Sequence, residues 1–215
     1  MSTTTTATTA TPADTTVKPK LIRGLSAFPI TPQSADGIVN VKSLAILVRR
    51  LVLASVDSIG LLGSTGSYCF LSQEQRRIAI ETAVTVLKET PTKQTKPLLL
   101  VGIGHLRTDQ VIRLASEAKA AGADAGLLSP VSYNPLTDRE VYELFRAVAE
   151  AVPDFPLVIY SNTSTTRFTF SNDLVAKLAS TIPAVVAVKR PSGDGVSKST
   201  ERHTALAATL AQANP

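Results

Sequence analysis

PLLLVGIGHLRTDQVIRLASEAKAAGADAGLLS, residues 97–129, contains one full turn of the pattern that decides this fold. It opens on an apolar run, PLLLVGIG (97–104), and closes on another, ADAGLLS (123–129). Both runs are near-continuous, as expected of parallel strands covered on both faces rather than of a half-exposed sheet. Between them Thr108 stands where the N-cap of a helix belongs. Strand, helix and strand in that compass make a βαβ unit.

Working outward, the unit repeats. Further strands are predicted at LSAFPI (25–30), VDSIGLLG (56–63), PLVIY (156–160) and AVVAVK (184–189). Amphipathic helices lie between them. Leu44, Leu47, Val48 and Leu51 follow the i, i+3, i+4, i+7 spacing of one helix face, as do Val141, Leu144, Phe145 and Val148. Ser72 with Gln75 and Thr137 with Glu140 form S-x-x-Q and T-x-x-E boxes, and Ser171 is a further N-cap. The chain is therefore six βα units at a period of roughly 30 residues, which means either a doubly wound sheet or a (β/α)8 barrel. Chemistry in both gathers at the carboxyl ends of the strands.

Composition narrows the function classes. The 215 residues are 44% hydrophobic and 18% charged, and no apolar run reaches the roughly 18–20 residues that span a bilayer. The net charge of +5 is mild and includes Lys18 and Lys20 of the tail. Without a basic stripe interleaved with aromatics, nucleic acid is not expected as a partner. The single cysteine, Cys69, rules out an internal disulfide and points to a reducing, cytoplasmic setting. With two histidines, His105 and His203, and no cysteine partner, no metal site is expected. Residues 1–20, MSTTTTATTATPADTTVKPK, are low-complexity and expected to be disordered, leaving 21–215 as one α/β domain.

The last strand ends VVAVKRPSGD (185–194), with a lysine directly after four apolar residues. Lys189 either reaches solvent as a strand-end marker or is an amine kept dry enough to be nucleophilic. Free lysine has a pKa near 10.4, so about one amine in a few thousand is neutral at pH 7, and burial favours the neutral form. LLGSTGSYCF (61–70) follows the second strand. Ser64, Thr65 and Gly66 offer hydroxyls and backbone N–H groups that suit a small carboxylate, or form an ordinary turn. Tyr160 ends the fifth strand level with Lys189 and is either a proton shuttle or a packed ring. Tyr133, in the loop after the fourth strand, and His105, after the third, are further candidates. Asp124 begins the fourth strand on the opposite face, Asp36-Gly37 marks a turn, and nothing near Cys69 argues for a thiolate.

Taken in order, GSTG (63–66), GIGHLRT (102–108), GADAGLLSP (122–130), Tyr160 and VKRPSGD (188–194) resemble the dihydrodipicolinate synthase/N-acetylneuraminate lyase family. The resemblance runs from about Leu21 to the end of the chain. It implies a (β/α)8 TIM barrel of which this chain carries about the first six units, C-terminally incomplete. It further implies a pyruvate-linked class I aldolase or lyase that needs no cofactor. Lys189 would be the Schiff-base lysine, Tyr160 the proton-moving tyrosine, and Ser64 and Thr65 the carboxylate-binding pair with Gly66 in their loop. Tyr133 would reach into a neighbouring subunit of a homo-dimer or tetramer.

Departures accompany the resemblance. Ser67 replaces the glutamate after the GSTG loop, YSNT (160–163) lacks the family's proline, and STT (164–166) replaces the synthase arginine, with Arg167 slightly displaced. These lean toward cleavage of a hydroxylated 2-oxo acid to pyruvate and an aldehyde. The competing expectations are a truncated, catalytically inactive paralogue that serves as a binding or subunit-interaction protein, and a synthase-type condensation of pyruvate with an aldehyde. A six-stranded sheet cannot close, so its first and sixth strands are expected as edges.

Overall fold

The computed structural model describes residues 22–192 and 195–213. The threonine-rich tail expected to be disordered lies outside the described residues. In chain order the elements are β1 (Ser26–Ala27), α1 (Val41–Leu53), β2 (Ser58–Leu61), a 3-10 turn (Tyr68–Phe70), α2 (Gln73–Glu89), β3 (Leu98–Gly102) and α3 (Thr108–Ala121). They continue with β4 (Ala125–Leu128), α4 (Asp138–Ala151), β5 (Leu157–Tyr160), the single-turn α5 (Thr163–Thr166), α6 (Asn172–Thr181), β6 (Val185–Lys189) and α7 (Gly195–Ala213).

The six strands form one parallel sheet in the order β1-β2-β3-β4-β5-β6. That order chooses between the two architectures left open by the sequence. A doubly wound sheet reverses direction to place helices on both faces. Here every crossover steps to the next strand in the same direction, so right-handed connections put all helices on one side. The result is an open, six-stranded part of a (β/α) barrel.

Side-chain alternation divides the sheet accordingly. Leu99, Val101, Leu157 and Ile159 join the large core shared with the helices, where Leu44, Val48, Val111 and Phe145 are fully buried. Leu100, Val158 and Tyr160, each one residue away from these, form with Leu127 of β4 a separate cluster on the inner face. Alternation continued along β6 places Ala187 and Lys189 on that inner face as well.

Local signals explain most boundaries. Thr137 and Glu140 form the complete capping box at α4, and Ser171 Oγ accepts from Leu174 N at α6. Thr137→Ala is expected to lower the unfolding free energy by about 1 kcal/mol, read from the denaturant midpoint. An unmoved midpoint would show that the box contributes nothing. At α2 only half of the expected box exists. Ser72 accepts from Gln75 N, but the Gln75 side chain instead accepts from Val39 N at 2.8 Å, tying α2 to the segment before α1. At α3 the N-cap is Arg107, and Thr108 is the first helical residue. The first strand is shorter than expected because Pro29, two residues after Ala27, has no N–H to donate to the ladder. Asp36-Gly37 does form a turn, with Gly37 at φ 81° donating to Ser34 O. No helix among the described residues is long and apolar enough to cross a membrane.

Candidate active site

The register of the last two strands brings the first pair of candidates together. Tyr160 of β5 lies beside Lys189 of β6, and Ser161 N donates to Lys189 O at 2.9 Å. Both side chains rise from the inner face at the carboxyl ends of their strands. The Lys189 Nζ sits 4.2 Å from the centroid of the Tyr160 ring and 4.8 Å from that of Phe28, the residue just after β1. Lys189 is half-buried and Tyr160 is buried.

Ser64 arrives from across the sheet, and a backbone device puts it there. The chain leaves β2 through Leu62, which has φ 55°, a left-handed conformation costly for a leucine. Two glycines hold this bend. A Cβ on Gly102 would lie 1.8 Å from Leu62 O, and one on Gly66 would lie 3.0 Å from Leu62 Cα and N. Arg76 of α2, 5% exposed, donates to Gly102 O at 2.7 Å and secures the end of β3. Burial pushes its guanidinium down to about 10.

The bend delivers Ser64 to Tyr160. The phenol donates to Ser64 Oγ at 3.0 Å, and the Asn162 amide donates to both the phenol (3.2 Å) and Ser64 Oγ (3.4 Å). Burial alone would push the Tyr160 phenol up. The Ser64 hydrogen bond, the Lys189 charge and the Asn162 hydrogen bond outweigh it and hold the phenol below its ordinary value. A phenol with an easily lost proton beside an amine is suited to proton transfer at a carbon or oxygen held between them.

The other candidates fall into two groups. Thr65 is exposed beside Ser64, and Gly66 is buried in the bend. Tyr133 is 92% exposed in the loop after β4 and stands apart from the cluster. His105 Nδ1 accepts from Arg107 N at 3.1 Å, a local turn contact. Asp124 receives Leu99 N at 2.9 Å at the start of β4, away from the strand ends that carry the cluster. Cys69 is exposed and free. Among the described residues, no group of three or more His, Cys, Asp or Glu side chains is placed to hold a metal.

Sequence reasoning passed over Asn162 and Phe28. The only signal for Asn162 was its place two residues past Tyr160 in a strand-end segment, where an amide readily reaches back. Phe28 had none, because its contacts depend on the curvature of the sheet. Tyr68 was also passed over. It stands with Ser129 Oγ at 3.5 Å across the ends of β3 and β4, and burial pushes its phenol up.

Residues 21–210 match the model of the Dihydrodipicolinate synthetase family. The chain is 34% identical over 175 residues to a 4-hydroxy-tetrahydrodipicolinate synthase of Campylobacter jejuni, covering 81% of this chain and 56% of the relative. A second relative of that name, from Neisseria meningitidis, is 31% identical over 175 residues and is covered to 57%. Among solved structures, a dihydrodipicolinate synthase from Agrobacterium tumefaciens is similar at 49% identity and TM-score 0.74, covering 83% of this chain and 58% of that one. The Acinetobacter baumannii dihydrodipicolinate synthase complexed with pyruvate is similar at 33% identity and TM-score 0.77, with 89% and 62% covered. The chain thus spans less than two thirds of the length of these relatives.

Proposed function

Since the chain belongs to the dihydrodipicolinate synthetase family, we propose that it is a Schiff-base aldolase or lyase that joins or separates pyruvate and an aldehyde. The observation that carries this reading is the meeting of Lys189, Tyr160 and Ser64 in one cluster at the strand ends. An inactive binding paralogue would have no need to keep an amine, a phenol and a hydroxyl in contact across three strand ends.

The chemistry runs through the neutral amine of Lys189. It attacks C2 of a 2-oxo acid, and loss of water leaves an iminium. In the cleavage direction the electrons of the C3–C4 bond flow into that iminium to give an enamine. The C4 hydroxyl surrenders its proton to the Tyr160 phenolate oxygen, and the aldehyde departs. Protonation at C3 and hydrolysis of the imine then release pyruvate and restore the amine. Ser64 and Thr65 hold the carboxylate so that C2 lies over the amine, a positioning contribution. Burial pushes the Tyr160 phenol up, but the Ser64 hydrogen bond and the Lys189 charge hold it below its ordinary value, which eases the transfer of its proton in both directions. Condensation of pyruvate with an aldehyde is the same sequence reversed. The STT at 164–166, in place of the synthase arginine and with Arg167 slightly displaced, favours cleavage of a hydroxylated 2-oxo acid as the working direction.

Pyruvate and sodium borohydride test the proposal. A reduced three-carbon adduct is expected on the peptide that contains Lys189, located by peptide mass. Folded protein whose Lys189 stays unmodified would overturn the reading. Tyr160→Phe removes the proton carrier, together with its hydrogen bonds to Ser64 and Asn162, and leaves the ring beside Lys189. It is expected to leave the adduct in place and to slow carbon–carbon bond formation or cleavage by about 10²–10⁴-fold. The exposure of Tyr133 suits a side chain that meets a second copy of the chain, and a homo-oligomer in a cytoplasmic setting completes the proposal.

A further inference from the structure

Asn162 stands before the single-turn α5 as its N-cap residue. Asparagine is favoured at such positions because its side chain can accept from a backbone N–H of the first turn. Here the side chain makes no capping hydrogen bond. The main chain holds the turn instead, with Thr165 N and Thr166 N both donating to Asn162 O at 3.0 Å. The amide is thereby released to face the strand ends. Ser164 Oγ donates to its Oδ1 at 2.8 Å, and Nδ2 is left to donate to the Tyr160 phenol (3.2 Å) and to Ser64 Oγ (3.4 Å).

That donor matters because the Lys189 charge, which bears on the same phenol, changes through the reaction. The Lys189 nitrogen is neutral as the attacking amine, positive as the iminium and neutral again as the enamine. A positive nitrogen favours loss of the phenol proton, and a neutral one does not. A carboxamide does not titrate in this range, so its N–H groups stay donors throughout. We propose that Asn162 is a positioning residue for the proton carrier, whose amide keeps a constant donor on the Tyr160 oxygen while the charge at Lys189 comes and goes. The inference rests on the Schiff-base reading and deepens it.

The test follows the C3 hydrogens of saturating pyruvate in deuterium oxide. The iminium gives a C3 proton to the Tyr160 phenolate and becomes the enamine. The phenol exchanges with solvent and returns a deuteron to C3, so no co-reactant is needed. On the full chain, exchange is read by the mass of pyruvate, and the Lys189 adduct by borohydride trapping and peptide mass. Asn162→Ala removes the amide. Asn162→Asp keeps its size and the Ser164 contact but turns an acceptor toward the phenol, and both variants keep the carbonyl that holds α5. Each is expected to slow exchange about tenfold or more, the scale of a lost hydrogen bond to a charged oxygen, while trapping stays within about twofold of native. Tyrosinate absorbance is expected at higher pH in both, and further in the aspartate variant. The ionisable groups that bear on Tyr160, Lys189 from β6 and Tyr68 from the 3-10 turn, stay in place. Exchange within about twofold of native in the folded variants overturns the proposal. So does an equal slowing of trapping and exchange, which would make Asn162 a support for the fold alone. The isosteric aspartate variant decides the matter should the alanine variant fail to fold. Absence of any adduct in the native chain takes down the Schiff-base reading itself, an outcome distinct from unmoved exchange.

Discussion

Lys189→Met is expected to abolish the borohydride-stable adduct and to remove pyruvate-dependent carbon–carbon bond chemistry by about a thousandfold or more, as loss of a covalent nucleophile does. Methionine keeps a flexible apolar stem of similar length, and its thioether packs favourably against aromatic rings. The contacts with Phe28 and Tyr160 thus have a substitute, and the variant should fold. Lys189→Arg separates charge from nucleophilicity. The guanidinium keeps a cation above the two rings but stays protonated, so it too is expected to form no adduct. A spectroscopic consequence accompanies the methionine variant. The positive charge of Lys189 is one of the influences that hold the Tyr160 phenol down. Its removal raises the phenol, and an ultraviolet titration should show tyrosinate absorbance appearing at higher pH than in the native chain. An adduct that persists in either variant, on some other lysine, would end the case for Lys189.

Gly102→Ala is expected to carry the largest stability cost of any single methyl added at the site. The new Cβ would meet the Leu62 carbonyl oxygen at 1.8 Å and its carbon at 2.8 Å, and neither belongs to a side chain that can swing away. Backbone must move. Overpacking of this kind costs about 3 kcal/mol, and more where the structure resists. The movement would also shift Leu62, and with it the bend that aims Ser64 at Tyr160, so adduct formation should slow even in protein that remains folded. Gly63→Ala is the control. Its Cβ would meet nothing closer than the Phe28 ring at 3.4 Å, and the expected cost is below about 1 kcal/mol. Equal thermal midpoints for the two alanine variants would show that the bend is more pliant than its geometry implies.

Much of this is legible in the residues themselves. The apolar runs at 97–104, 123–129, 156–160 and 184–189 name the strands because burial on both faces leaves no polar alternation, and the helix faces at 44–51 and 141–148 follow from their spacing. Lys189 and Tyr160 stood out because each ends such a run, and the pairing of their strands makes them neighbours. Choosing the barrel from residues alone was out of reach, since both architectures share the same local signals and differ only in strand order. Capping was read correctly where the partner is local, as at Thr137, and only in part where a side chain had a distant option, as with Gln75 and Val39. Phe28 escaped for the same reason on a larger scale. An aromatic residue after a short strand looks like core until the sheet curls and brings Gly60 beneath it and Lys189 above.

The three hydrogen bonds among Tyr160, Asn162 and Ser64 have a consequence for the sign of what this site can greet. The Ser64 oxygen has two lone pairs, and two incoming donors occupy both. Its own hydrogen is the one polar feature left to spend, and it has to find an acceptor beyond the trio. A hydroxyl saturated in this way has no lone pair to offer an ammonium group or another donor, and on the proposed reading its proton is left for an oxyanion.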